Sequence, residues 1–277
     1  MVIKKTEPDW TPEHVRRLWD WYSSNPQVQS LYFTHMVGDG IAGFLDATGR
    51  LKGKALDYGC GNGYLLGHLL ARGLECNGVD LSAQSVASVN ASFKQHPRWK
   101  GAATLEGVGT PYPDGHFDVI TCVETFEHLP GSQLNAVLKE MRRVLKADGL
   151  LLVTTPASEK LEDNSIYCPF CDSSFHKWQH FRSFSPQSMS ALLADNGFSV
   201  ALCRAMDFAQ FQPPSALRFR DLVKWPLVRR RLGDRVRQAV DRVSPRPFPA
   251  GRDFQFRLGA GHELHLCALA TKAAAAG

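Results

Sequence analysis

Short apolar runs of strand length alternate with amphipathic stretches of helix length through the middle of this chain. Between residues 53 and 208 the strand-like runs include KALDYG, LECNGVD, FDVITCVE and GLLLVTTP, and apolar residues recur at helical spacing in YLLGHLLARG and LNAVLKEMRRVL. The repeated change of period predicts an α/β fold, a doubly wound and mostly parallel sheet with crossover helices on both faces.

The pattern differs on either side of this alternating region. Residues 9–47 carry apolar positions at helical spacing, which predicts an N-terminal helical cap within residues 1–50. The predicted core spans residues 51–208 and includes a Cys/His-rich insertion at residues 157–182. A basic helical insertion is expected at residues 209–262, and the last core strand with a tail at residues 263–277.

Composition and charge refine this picture. The chain has 277 residues, 44% of them hydrophobic, which is enough for a substantial core. No apolar run reaches the roughly 18 residues of a membrane span, and the first residues lack the apolar run of a secretory signal, so a cytoplasmic protein is expected. The net charge of +5 comes from one segment, because residues 214–247 hold ten Arg or Lys against three Asp.

The basic segment allows three interpretations. Its valines and leucines at helical spacing, with arginines between them, predict an amphipathic basic helix. Such a helix can rest on an anionic membrane surface or form a lid that attracts an anionic acceptor. The third interpretation is a solvated helix that packs on the domain.

A glycine-rich stretch, LDYGCGNG, ends the first predicted strand, and Asp80 ends the second. Glycines at this point let the backbone turn tightly and approach a ligand, and a carboxylate at the end of the next strand can accept both hydroxyls of a ribose. Tyr64 stands where a dinucleotide-binding fingerprint would have its third glycine. The two features together predict a nucleotide-like cofactor.

These residues resemble the class I S-adenosylmethionine-dependent methyltransferases. The resemblance runs from about residue 53 to residue 208, with a returning strand near residues 263–272, and it rests on LDYGCGNGYLLGHL, GVDLS, TPYPDGHFDVITCVETFEHL, LKEMRRVLKADGLLLVTTP and HFRSFSPQSMSALLADNGF. It implies a Rossmann-like sheet with an antiparallel last strand. It also implies S-adenosyl-L-methionine as the cofactor.

The family's cofactor contacts can be carried onto matching positions. The resemblance implies that the first-strand motif holds the methionine end, that Asp80 holds the ribose, and that the backbone at the end of the fourth strand lines the pocket near the sulfonium. Glu106 stands where the family more often has an Asp beside the adenine. The implied cofactor-binding residues are Asp57, Gly59, Gly61, Gly63, Asp80, Glu106, Gly107, Cys122 and Val123.

An oxygen or nitrogen acceptor needs a base, and histidine is suited to that task near neutral pH. His128, directly after the fourth strand, lies on the side where cofactor and acceptor should meet, with Glu124 and Glu127 as weaker candidates. The alternative is a histidine that only packs or caps. His180, in a stretch that resembles the substrate side of related methyltransferases, is the second candidate base.

The segment YCPFCDSSFHKWQH holds Cys168, Cys171, His176 and His180, a donor set suited to tetrahedral zinc. The four residues between the pairs are too few for a nucleic-acid-reading finger, so no nucleic-acid partner is expected. A dithiol redox centre and a loop with reduced cysteines are the alternatives. His180 is either a zinc ligand or a base.

The combined prediction is an S-adenosylmethionine-dependent methyltransferase that methylates a small-molecule acceptor, on oxygen rather than on nitrogen or carbon. Proximity and exclusion of water would supply much of the rate, because the sulfonium methyl is already activated. Two other hypotheses remain, a nicotinamide-dependent oxidoreductase and a zinc-stabilised binding module without catalysis.

Overall fold

The computed structural model describes residues 8–211 and 264–273. Seven α-helices and nine strands occur in this part of the chain. The helices are α1 Pro12–Ser24, α2 Pro26–Gln29, α3 Phe33–Ala47, α4 Tyr64–Ala71, α5 Ala83–Phe93, α6 Gly131–Val144 and α7 Pro186–Asp195. The strands are β1 Lys54–Tyr58, β2 Glu75–Asp80, β3 Trp99–Thr104, β4 Phe117–Val123, β5 Leu145–Pro156, β6 Ser165–Cys168, β7 Ser173–His176, β8 Phe198–Met206 and β9 His265–Lys272.

Seven of the strands form one sheet in the order β3-β2-β1-β4-β5-β9-β8. Strands β1 to β5 are parallel, and β9 runs antiparallel to both of its neighbours. The predicted fold class, including the antiparallel last strand, is confirmed. The strand order reverses between β1 and β4, and the crevice at such a switch point, outside the carboxyl ends of the strands, is where open α/β sheets bind ligands.

Helices cover both faces of the sheet, as parallel strands with crossover connections require. One buried cluster includes residues of α6 and α7, such as Leu138, Met141 and Leu193, and the other includes residues of α3 and α4, such as Ile41 and Leu69. Helix α3 therefore belongs to the core packing, although the sequence pattern groups it with the N-terminal helices. Helix α1 lies against α5, near the carboxyl ends of the parallel strands.

The Cys/His-rich insertion follows β5 directly. Strands β6 and β7 form a separate antiparallel hairpin, in which Cys168 pairs with Ser173 near the tip and Ser165 pairs with His176 at the base. The chain then makes a turn and leads into α7. This helix begins where the sequence predicts, with Ser185 as the N-cap of a capping box and Pro186 in the first turn.

The basic insertion predicted for residues 209–262 lies outside the described residues, apart from a short 3₁₀ turn at Phe208–Phe211. Its three interpretations therefore stay predictions. None of the helices in residues 8–211 has the length and apolar composition needed to cross a membrane.

Candidate functional site

The glycine turn between β1 and α4 lies at the switch point of the sheet. Its conformation requires glycine, because Gly59 and Gly63 both have φ near +80° and a Cβ at Gly59 would lie 2.5 Å from Oγ1 of Thr125. The amides of Gly59 and Cys60 donate to the carbonyl of Val79 at 2.8 and 3.0 Å, which ties the turn to β2. The turn thus presents backbone without side chains to the crevice.

Asp80 ends β2 beside this turn. One carboxylate oxygen accepts from the amide of Gly61 at 2.8 Å, and the other accepts from the amide of Ser82 at 2.9 Å. Burial raises the pKa of Asp80 and outweighs the effect of these amides. Each oxygen keeps a further lone pair, so the carboxylate can still accept hydroxyl groups.

Asp57 lies one layer deeper, in β1, and its side chain is 2% exposed. Its carboxylate accepts from the hydroxyl of Thr121 at 2.7 Å. Burial raises the pKa of Asp57 to about 7, although the hydroxyl acts in the opposite direction. A cation bound at the turn would therefore meet a carboxyl group that titrates near neutral pH.

The other predicted cofactor residues lie at the same edge of the sheet. Cys122 and Val123 are buried at the end of β4, and Glu106 and Gly107 lie exposed in the loop that follows β3. Burial raises the pKa of the Cys122 thiol well above its ordinary value, so this thiol is neutral. Cys122 can therefore contribute backbone atoms and packing volume to the site, but no charge.

The loop after β4 connects the glycine turn to the histidines. Thr125 contacts Gly59, and the 3₁₀ turn Phe126–His128 follows. Glu124 accepts from the Thr154 hydroxyl at 2.8 Å and pairs with His265 at 3.0 Å, so its carboxylate is occupied by structural contacts. Of the three candidate bases in this loop, Glu127 and His128 lie outside these contacts.

Glu127 and His128 are packed away from solvent. The Glu127 side chain is 1% exposed and that of His128 is 12% exposed, and neither the Glu127 oxygens nor Nδ1 of His128 has a hydrogen-bond partner in the described residues. Burial raises the pKa of Glu127 well above its ordinary value and lowers that of His128 well below its own. Burial therefore favours the neutral form of both side chains.

His180 and His176 meet Glu159 next to this pair. Oε1 of Glu159 lies 3.1 Å from Nε2 of His176, and Oε2 lies 2.5 Å from Nδ1 of His180. The two imidazoles stack with their centroids 4.2 Å apart, and the rings of His128 and His180 are 4.7 Å apart. The structure thus brings the two predicted bases together and adds a carboxylate.

The cysteines do not join this group. His176 lies at the base of the β6–β7 hairpin and the Cys168–Ser173 pair lies three residues away along both strands, which is a separation of about 10 Å. In the described residues, the groups of side chains that could hold a metal are Glu127, His128 and His180, and Glu159, His176 and His180, without a cysteine. The predicted set of four zinc ligands is therefore corrected, because the hairpin separates thiols from imidazoles.

The hairpin also sets the surroundings of the histidines and thiols. His176 ends a strand, and the turn that follows brings its ring against that of His180. At the hairpin tip, the amides of Phe170 and Cys171 lower the pKa of the Cys168 thiol. Cys171 is exposed, and its sulfur lies 2.9 Å from the Ser173 hydroxyl.

Sequence reasoning missed three residues of this site. Glu159 lies between the motif that ends at Pro156 and the Cys/His segment and belongs to neither, Trp19 reads as part of an amphipathic helix, and Gln179 lies between His176 and His180. The Trp19 indole donates to Oε1 of Gln179 at 2.8 Å, and the Gln179 amide donates to the His128 carbonyl at 3.3 Å. Gln179 is 1% exposed with φ +62°, a left-handed conformation that is uncommon outside glycine.

A family model described as a methyltransferase domain matches residues 32–202, more than half of the chain. The chain belongs to this family. The methyltransferase domain includes the glycine turn, Asp80, the loop after β4 and the Cys/His insertion. Helix α1, which carries Trp19, lies outside the matched residues.

Curated relatives of this methyltransferase domain include the ubiquinone biosynthesis O-methyltransferases of Idiomarina loihiensis and Neisseria meningitidis. The first is 30% identical over 139 residues, which are 49% of this chain and 55% of the relative. The second is 24% identical over 202 residues, 68% of this chain and 80% of the relative. The chain spans about half the length of the curated relatives it first matches.

Solved structures share the fold of this methyltransferase domain. The Burkholderia thailandensis 1,6-didemethyltoxoflavin-N1-methyltransferase, solved with 1,6-didemethyltoxoflavin and S-adenosylhomocysteine, has a TM-score of 0.61 at 13% identity over 97% of this chain and 93% of its own. The [4+2]-cyclase SpnF has a TM-score of 0.59 at 15% identity over 97% and 99%. Since one of them is a cyclase, the likeness establishes the fold and leaves the reaction to the site.

Proposed function

We propose that the chain transfers the methyl group of S-adenosyl-L-methionine to an oxygen atom of a small-molecule acceptor. The observation that carries the proposal is the arrangement at the switch point, where a cofactor-type turn with Asp80 faces a group of buried histidines and carboxylates. Relatives named as O-methyltransferases support oxygen as the acceptor atom.

The cofactor side would be formed by the glycine turn and three acidic residues. Asp80 would accept the ribose hydroxyls, and the turn from Gly59 to Gly63 would pack against the methionine end, near Asp57. Glu106 and Gly107 would lie beside the adenine, and the backbone of Cys122 and Val123 beside the sulfonium. The bound cofactor supplies an electrophilic methyl group that needs no further activation.

The acceptor side would be formed by His128 and His180. One of them would take the proton of an acceptor hydroxyl, while the aromatic side chains of α1 and of the insertion exclude water. Trp19 packs edge-on against His128 with ring centroids 4.6 Å apart, and Tyr22 packs against Trp178 at 5.4 Å. Exclusion of water strengthens the electrostatic interactions of the reacting groups.

Zinc takes no part in this proposal. A tetrahedral site needs four converging ligands, and the thiols and imidazoles lie at opposite ends of the hairpin. Elemental analysis of protein prepared without chelator addresses the metal directly. A stoichiometric metal that is lost on substitution of both cysteines would restore the original prediction.

The experiment is a titration followed by a transfer assay. Calorimetry with S-adenosylhomocysteine and with NAD should show binding of the first alone. Incubation with methyl-labelled S-adenosylmethionine and a panel of small phenols, sugars, carboxylates and amines should then label a hydroxyl compound. Binding of NAD would favour an oxidoreductase, binding of neither would favour a binding module, and labelling of amines alone would refute transfer to oxygen.

A further inference from the structure

The carboxylate of Glu159 bridges two stacked imidazoles, with one oxygen on a nitrogen of each ring. Its side chain is 12% exposed, and those of His176 and His180 are 3% and 7% exposed. Burial by itself would raise the pKa of Glu159, but hydrogen bonds from both imidazoles hold it well below its ordinary value. The group is therefore an ionised carboxylate, which can only accept hydrogen bonds.

The backbone determines which nitrogen of His176 carries the proton. Nδ1 of His176 accepts from the amides of Trp178 and His180 at 3.3 and 3.2 Å. In a neutral imidazole the proton is then on Nε2, and Nε2 donates to Oε1 of Glu159. The same contacts disfavour a metal on Nε2, because a ligating histidine normally donates from its other nitrogen.

His180 meets the second oxygen of the same carboxylate through Nδ1. Because Glu159 only accepts, Nδ1 of His180 carries the proton and Nε2 has the free lone pair. His128 and His180 compete for a proton, since their rings are 4.7 Å apart. Burial, reinforced by the neighbouring His180, lowers the pKa of His128 and outweighs the backbone of Gln179 and Trp178, which acts to raise it. Nδ1 of His128 has no hydrogen-bond partner in the described residues, and no carboxylate accepts from it as Glu159 accepts from His180.

We propose that Glu159 is a positioning residue that selects His180, rather than His128, as the general base. This inference rests on the proposed methyl transfer to oxygen. The acceptor hydroxyl gives its proton to Nε2 of His180, and the resulting imidazolium is stabilised by the carboxylate of Glu159. The oxygen forms the new bond to carbon, the sulfur–carbon bond breaks with its electron pair going to sulfur, and His180 later releases the proton to water.

The first test measures tautomers and needs no acceptor. In the full chain labelled with ¹⁵N-histidine and bound to S-adenosylhomocysteine, His180 should carry its proton on Nδ1 and His176 on Nε2, with assignments from His176→Gln and His180→Gln. Glu159→Gln should move His180 toward the Nε2-protonated form, and Glu162→Gln, which changes an exposed carboxylate nearby, should leave both rings unchanged. A wild-type His180 protonated on Nε2, or nitrogen shifts of a metal-bound ring, would overturn the proposal.

The second test separates positioning from folding. With the best phenol of the acceptor panel, Glu159→Gln should lower kcat about ten- to hundredfold and change KM by less than about threefold, because a positioned base contributes about 10²- to 10⁴-fold. Glu159→Asp should recover part of the loss, and His180→Gln should lower kcat more than His128→Gln. Unchanged kcat in Glu159→Gln would refute the role of Glu159.

The two proposals fail in different ways. If S-adenosylhomocysteine does not bind the wild-type chain, the proposed function fails and the assignment of a base fails with it. If the wild-type chain binds and methylates while Glu159→Gln binds equally and methylates equally, only the assignment of Glu159 and His180 fails. Thermal melting of each variant shows whether a loss of activity reflects unfolding.

Discussion

Asp57 and Asp80 are two buried carboxyl groups beside the glycine turn. Burial raises the pKa of both Asp57 and Asp80, and only Asp80 receives backbone amides on both oxygens. Asp80 is therefore held in one orientation, while Asp57 is a carboxyl group that changes charge near neutral pH. The two residues lead to different predictions.

Cofactor affinity should depend on pH through Asp57. Its pKa is raised to about 7, so the group is neutral below that pH and ionised above it. A cationic amino group binds the ionised form better, so the affinity for S-adenosylhomocysteine should fall as the pH drops from about 8 to about 6. Calorimetry over this range checks the sign, and Asp57→Asn should lose most of the dependence while Asp148→Asn, at an exposed position, keeps it.

The raised pKa of Asp57 should also make the stability of the protein depend on pH. A carboxyl group whose folded pKa exceeds its unfolded pKa binds more protons in the folded state between the two values. The contribution of Asp57 to the free energy of unfolding should therefore fall as the pH rises from about 4 to about 7 and stay constant above that. Chemical denaturation should show that the free energies of unfolding of wild type and Asp57→Asn depend differently on pH in this window. The same pH dependence in both proteins would contradict the assignment to Asp57.

Asp80 should contribute hydrogen bonds to the cofactor. Replacement by Asn keeps the shape and removes the charge, so the affinity for S-adenosylhomocysteine should fall about ten- to hundredfold, as expected for hydrogen bonds to a charged group. Calorimetry measures the change, with Asp114→Asn on an exposed loop as the control. Unchanged affinity would refute the ribose contact.

At the scale of elements, the start of α4 depends on close contact with α5. Gly63 caps α4 at φ +80°, and a Cβ there would lie 2.3 Å from Cγ2 of Val89. Gly73 has nearly the same φ, +83°, and its Cβ would meet nothing within 4 Å. The two positions therefore separate backbone strain from steric overlap.

Gly73→Ala should lower the free energy of unfolding by about 1 kcal/mol, the cost of the left-handed conformation alone. Gly63→Ala should cost about 1–3 kcal/mol more, because it adds overpacking to the same strain. Urea denaturation of both variants measures the difference. Equal losses would mean that Val89 moves aside without cost.

The hairpin of β6 and β7 also behaves as a separate element. Its tip carries Cys168 and Cys171 at exposed or half-buried positions, and its base carries the buried His176. The double change Cys168→Ser and Cys171→Ser should shift the free energy of unfolding by less than about 0.5 kcal/mol, as for other surface changes. A loss of several kcal/mol together with loss of bound zinc would indicate a structural metal at the tip.

At the scale of the whole molecule, the N-terminal helices and the insertion pack together beside His128, on the side proposed to receive the acceptor. The contacts that join them are the hydrogen bond from Trp19 to Gln179, the bond from the Tyr22 hydroxyl to the Lys177 carbonyl, and the ring contact of Trp10 with Phe175. Segments more than 150 residues apart in sequence thus enclose His128 and His180.

A double-mutant cycle should detect this coupling. Trp19→Phe leaves Oε1 of Gln179 unpaired, and Gln179→Met leaves both the Trp19 indole and the His128 carbonyl unpaired. The double variant leaves only the carbonyl, so a coupling energy of about 1 kcal/mol between Trp19 and Gln179 is expected. Urea denaturation measures it. The exposed Glu13–Arg17 pair on the same helix is the control, with an expected coupling of at most about 0.5 kcal/mol.

Much of the fold follows from local patterns. The strands of the core and the helices α1, α6 and α7 are marked by hydrophobic periodicity and by caps such as Ser185, because these signals act within a few residues. The placement of α3 in the core could not be predicted this way. Its apolar face is visible in the sequence, but the element it packs against is not.

The sequence by itself determined the parts of the site that are local in the chain. The glycine turn and Asp80 have the spacing of a cofactor site because a tight turn and a strand end each need particular residue types. Only the tertiary structure decided which side chains share a space. The hairpin carries Cys168 and Cys171 away from His176 and His180, because strand pairing sets those distances and sequence spacing does not. The path of the chain between β5 and β6 brings Glu159 against a nitrogen of both imidazoles, a contact that no local pattern encodes.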